Sequence, residues 1–99
     1  MATETGNGPF TNTLTGTTAD TINLVNPWPK VEVTNHDSAD LIYFRQDGVT
    51  AVAAADGCEV VLPGQKLVVK SQLSYRNGAC RVELSVVGDG GLYTVAGSN

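Results

Sequence analysis

From Lys30 onward the strand-like segments alternate with a period of two, and that alternation restricts the fold more than any other property of the chain. A period of two puts successive side chains on opposite faces of an extended strand, whereas a helix needs apolar residues three and four apart. Val31 and Val33 alternate with Glu32 and Thr34, and Leu67 and Val69 with Lys66, Val68 and Lys70. The clearest run sets Cys80, Val82, Leu84 and Val86 on one face against Arg81, Glu83 and Ser85. Leu41, Tyr43 and Arg45 alternate with Ile42 and Phe44, so this strand has bulk on both faces and suits a position covered twice. Turn pairs punctuate these runs. Asp47-Gly48, Pro63-Gly64 and Asn77-Gly78 supply preset or positive φ values where a chain reverses, and Gly88-Asp89-Gly90-Gly91 joins the last two strands.

The nearest approach to a helix is Ala-rich Val49 to Asp56, but it contains β-branched residues and is bracketed by Asp-Gly pairs. One short turn is expected there. About seven short strands at regular spacing read as an all-β domain, an antiparallel sandwich or barrel. Ninety-nine residues allow one such core and no second domain.

The first 29 residues have a different composition. Eight Thr fall between Met1 and Asn26, with Gly6, Gly8, Pro9 and Gly16, and Phe10 and Leu14 are the only large apolar side chains before Ile22. Such a segment buries little by itself, so 1–29 is expected to be an extended arm and 30–99 the sandwich. Thr21 to Val25 reads as a first strand or the end of the arm, and Asn26-Pro27-Trp28-Pro29 breaks the pattern. Phe10 and Trp28 lie where no local core is evident. They either fold back over an open end of the domain or anchor on a neighbour, and Phe10, Leu14, Pro27 and Trp28 are the candidate interface residues.

Charge and motifs exclude several functions. Only 16% of residues are charged, against about 25% in an average soluble domain. The net charge is −4, and the cations Lys30, Arg45, Lys66, Lys70, Arg76 and Arg81 are scattered, so nucleic acid is not an expected partner. No apolar run approaches the roughly 18 residues that span a bilayer, and the N-terminus lacks the basic and apolar segments of a signal peptide.

The lone histidine sits in Asn35-His36-Asp37-Ser38-Ala39-Asp40. Ser, His and Asp this close in a turn diverge, whereas a catalytic triad is assembled from distant segments, so a polar loop is expected and no enzyme. Asp37 and Asp40 lack the ligand spacing of a calcium loop, and Cys58 and Cys80 lack that of a zinc site. Cys80 reads as a small buried hydrophobe; a bond to Cys58 would need adjacent strands and an oxidising compartment. The glycines precede no helix, so they form no phosphate cradle. No metal or cofactor is expected.

The order of several segments carries a resemblance. Val31-Glu32-Val33-Thr34-Asn35 is followed by Ser38-Ala39-Asp40-Leu41-Ile42-Tyr43-Phe44-Arg45-Gln46-Asp47-Gly48, then Val60-Val61-Leu62-Pro63-Gly64. The closing part is Val82-Glu83-Leu84-Ser85-Val86 with Leu92-Tyr93-Thr94-Val95-Ala96-Gly97. In this order, from Val31 to Gly97, the chain resembles a family of small structural proteins of tailed bacteriophages, especially those of actinobacterial hosts. The resemblance implies a β-sandwich of immunoglobulin-like or jelly-roll topology and no catalytic residues. It implies a virion component made in the host cytoplasm, a capsid decoration protein on the outer shell, with a minor tail or host-adhesion module as the alternative. The implied partners are the lattice of the major capsid protein and further copies of the chain, a trimer being the expected form.

Overall fold

The computed structural model describes residues 2–76 and 79–99, apart from the side chains of 76, 79 and 80. Among the described residues the chain forms ten strands and no helix. They are β1 (Thr3–Gly6), β2 (Phe10–Thr13), β3 (Asp20–Leu24), β4 (Lys30–Asn35), β5 (Ile42–Arg45), β6 (Glu59–Val61), β7 (Lys66–Lys70), β8 (Leu73–Arg76), β9 (Ala79–Gly88) and β10 (Leu92–Ser98). One sheet has the order β1-β3-β9-β5-β6, with β8 also on β9, and the other runs β2-β10-β4-β7. Every pairing is antiparallel except the parallel β1–β3. Two separate sheets face each other, so the all-β expectation holds and the architecture is sandwich-like. Only β5–β6 and β8–β9 are hairpins within a sheet; every other connection crosses to the opposite one.

The ten residues of β9 form the spine of the first sheet. One edge pairs with β3, Leu24 opposite Val82 and Asp20 opposite Val86. The other is shared, first with β8 (Leu73 opposite Val82) and then with β5 (Arg45 opposite Ser85). Its alternation works as read: Val82, Leu84 and Val86 are buried against Ile22, Leu24, Val31, Val33, Ile42, Phe44, Tyr93 and Val95. Burying each such side chain is worth about 1.5–3 kcal/mol, which makes this register the one that folding selects.

Residues 2–29 do not stand apart from this body. β1 lines the edge of the first sheet, β2 the edge of the second, and β3 lies inside the first sheet between β1 and β9. Ile22 and Leu24 have no exposed surface, and Leu14 is 2% exposed. The boundary expected at residue 30 therefore divides a single core. The physical reason is that an edge strand needs few apolar side chains. Main-chain hydrogen bonds hold it, and β-branched Thr suits its outer face.

Ten strands rather than about seven follow from the same segment. The Pro63-Gly64 turn forms as expected, with the Gln65 amide donating to the Leu62 carbonyl at 3.0 Å and Gly64 at φ +71°. β8 and β9 pair on either side of Asn77-Gly78, but that turn lies outside the described residues. Between β5 and β6, residues 46–58 cross the outer face of the first sheet. There Ala51 joins Ala19 and Val87 in a second small core with Tyr43 and Cys58 beside it. β5 is thus apolar on both faces because both are covered.

Candidate functional site

The loop after β4 is built by its own polar side chains. Asn35, fully buried, donates through Nδ2 to the carbonyls of Asp40 (2.8 Å) and Val61 (3.0 Å), and its Oδ1 accepts from the Asp37 amide (2.9 Å). Asp37 Oδ2 accepts from the amides of Ala39 (3.1 Å) and Asp40 (2.6 Å), and these bonds hold its carboxyl below the usual range. Asp40 is pushed the other way, by partial burial and then by the charges of Asp37 and Asp89. His36 faces outward from the second sheet, its Nε2 2.7 Å from Thr94 Oγ1, which in turn meets Thr11 Oγ1 at 2.8 Å. The Asp37 carboxylate is taken by backbone amides, so His36 and Asp37 do not form the base-and-orienter pair of a hydrolase. Among the described residues no group of three or more His, Cys, Asp or Glu is arranged to hold a metal ion.

The loop over the first sheet is clasped by Arg45. Its Nε donates to Asp47 Oδ1 at 2.7 Å, Nη2 makes a shorter ion pair with Oδ2, and Nη1 reaches the Asp56 carbonyl at 3.2 Å. This two-pronged contact depresses Asp47 to about 2. Ser85 Oγ accepts from the Ala51 amide at 2.8 Å and fixes the middle of the loop. Cys58 is free, its thiol 3.6 Å from the Val52 carbonyl oxygen. The side chain of Cys80 lies outside the described residues.

The candidate contact residues of the first segment are placed unequally. Leu14 is buried, Phe10 and Trp28 are half-buried against the main core, and Pro27 is exposed. Trp28 lies over Gly97 of β10 so closely that a Cβ there would fall 2.1 Å from the indole. The ring closes the end of the sandwich where β3 leaves and β4 begins. Phe10, Leu14 and Trp28 thus spend most of their apolar surface within the chain, because the edge strands bring them to the core.

Other side chains are left open. Leu73 and Tyr75 lie on β8 on the same face as Val82, yet they are 46% and 77% exposed. β8, at the side of β9, therefore presents Leu73 and Tyr75 to solvent although Val82 beside Leu73 is buried. Val25 is 40% exposed and Pro27 is exposed as well. The molecule measures 39 × 23 × 22 Å, longer than it is broad. Alternation marks Leu73 and Tyr75 as a strand face in the sequence. Their exposure depends on what distant elements leave uncovered, which no local pattern records.

Comparison with known proteins gives no relative: no family model matches the chain, and no curated protein or solved structure matches it.

Proposed function

We propose that this protein is a structural component of a tailed-bacteriophage virion, a capsid decoration protein that binds the outer face of the shell and stabilises it. The sandwich is then of the immunoglobulin-like or jelly-roll kind, the partner is the major capsid protein lattice, and the working form is a homo-oligomer, a trimer. The protein acts by binding rather than catalysis. The observation that carries the reading is the exposure of Tyr75 (77%) and Leu73 (46%) on one face of β8. An aromatic and a leucine side by side on a strand bury apolar area when another surface closes over them. The resemblance of Val31 to Gly97 to phage structural proteins supplies the identity of that surface.

A second reading, a minor tail or host-adhesion module, is favoured by Tyr75 itself, since an open ring also suits the face of a sugar. Tyr93 is buried, and Tyr43 and Trp28 are half-buried, so Tyr75 is the aromatic available for it. Copy number separates the two: a decoration protein is present many times per shell, a tail protein a few times per particle.

Deleting the first segment would remove Ile22 and Leu24 from the core, so the test uses surface substitutions. Purified full-length protein is mixed with expanded capsids that lack it, and the bound fraction is measured by co-sedimentation. The wild type is expected to bind, and Leu73→Ser with Tyr75→Ser to weaken binding about tenfold or more with the denaturation midpoint unchanged. Undiminished binding by the double variant removes the hairpin from the mechanism; no binding by the wild type removes the decoration reading.

A further inference from the structure

Two of the chain's six cations are set directly against each other. β4 and β7 pair with Lys30 opposite Lys70, so two ammonium groups leave the same face of the second sheet from neighbouring positions. Like charges in that register are destabilising. The acid nearest along β4, Glu32, is committed to Lys66 at 2.9 Å. Lys30 and Lys70 are exposed, and with Pro29, Val68 and Val69 they line an open groove of about 440 Å³. Val68, in the middle of β7, is 46% exposed. Two cations over an apolar floor select a partner that carries carboxylates beside apolar side chains.

This chain carries such a surface at its other end. β4 starts at Lys30 and ends at Asn35, whose side chain holds the Asp40 carbonyl. The two ends of the strand are roughly 17 Å apart. Asp40 and Asp89 line a second open groove, of about 370 Å³, together with Leu41, Tyr43 and Ala53. Leu41 is 37% exposed, and Asp89 lies on the exposed turn between β9 and β10. Partial burial, and then the charges of Asp37 and Asp89, raise the Asp40 pKa, so this end sets carboxylates of one sign close together.

We propose that copies of this protein associate head to tail, the Asp40–Leu41–Asp89 groove of one seated on the Lys30–Val68–Lys70 groove of the next. One contact then offsets both repulsions and covers apolar surface on both sides. The two surfaces differ, so the contact is heterologous: it closes as a ring where the rotation permits and continues as a filament where it does not. The contact is one way to build the homo-oligomer of the proposed function, but it is tested by self-association in solution, whereas the virion reading is tested by capsid binding.

The test is sedimentation velocity of the full chain from micromolar to millimolar concentration, at low and high salt. The wild type is expected to self-associate, less so at high salt, where screening shortens the reach of its charges. Lys30→Glu with Lys70→Glu, and separately Asp40→Lys with Asp89→Lys, each give a molecule whose ends repel, and association is expected to fall about tenfold or more. An equimolar mixture of the two double variants restores it, since every end then meets its opposite. Should Asp40→Lys disturb its loop, Asp89→Lys alone serves in the same comparison. A wild type that stays monomeric throughout overturns the proposal. So do double variants that associate like the wild type, a mixture that does not associate, or a lysine groove that takes an acidic peptide while the chain itself stays monomeric.

Discussion

Gly97 shows how one residue is decided by another far away in the chain. A glycine inside a strand normally weakens it, having no side chain to pack and more backbone freedom to lose. Here the missing Cβ makes the seat of Trp28, and a methyl group would lie 2.1 Å from the ring. Gly97→Ala is therefore expected to destabilise by about 1–3 kcal/mol or more, because the indole must leave its place over the end of the core. The drop appears as a lower urea midpoint and a red-shifted fluorescence from the single Trp; an unchanged emission maximum would mean that the ring is not held by Gly97. Pro27-Trp28-Pro29 is legible as a break carrying an aromatic. Its seat is not, since nothing near Trp28 in sequence points to residue 97. Asn35 is similar: it reads as a turn residue, and only the fold gives its amide both the Asp40 and the Val61 carbonyls.

At the scale of elements, signals confined to a few residues are the legible ones. Pro63-Gly64 and Asp47-Gly48 end strands where they stand, because φ preferences act within a turn. β1 and β2 were not legible as strands, because an edge strand is held by main-chain bonds to β3 and β10, which composition does not reveal. The 46–58 loop lies between these cases: Asp47-Gly48 starts it, but its path is fixed by Arg45 and Ser85. Its acid response has a definite sign. Asp47 is lowered to about 2 in the folded chain, below about 3.9 in the unfolded one, so its ion pair contributes fully above about pH 4. That contribution is lost as the pH falls through about 2. Asp40 works oppositely: its pKa is raised, so protonation on acidification favours the folded state. Urea midpoints measured from pH 6 downward are expected to fall less steeply in Asp47→Asn than in the wild type, and parallel curves would remove Asp47 from the acid transition.

For the whole molecule, one polar contact between the sheets is as informative as the apolar core. Tyr93 of β10 donates its hydroxyl to Asp20 Oδ2 of β3 at 2.9 Å, with both side chains buried. The Ala2 amide donates to Oδ1 at 2.9 Å, tying the start of the chain to the same carboxylate. Burial, followed by the bond and charge of Asp20, raises the Tyr93 pKa well above that of an ordinary phenol. Tyr93→Phe leaves Asp20 with one fewer donor in a site closed to water, an expected loss of about 1–3 kcal/mol in unfolding free energy. Hydrogen exchange should then quicken at the β1 and β3 amides first; a loss spread evenly over both sheets would mean that the contact does not anchor the first segment.

Local pattern alone is enough to assign the all-β class of this protein. Alternation with a period of two admits only extended strands with one face inward, and turn residues act over too short a range for distant contacts to override them. It also marks which side chains are apolar enough to need cover. What covers them follows from the packing of distant elements. That packing draws residues 2–29 into the core by main-chain pairing, lays residues 46–58 over the back of the first sheet, and leaves Leu73 and Tyr75 open on β8. Burial is set by the distance between elements far apart in sequence, and no stretch of neighbouring residues carries that information.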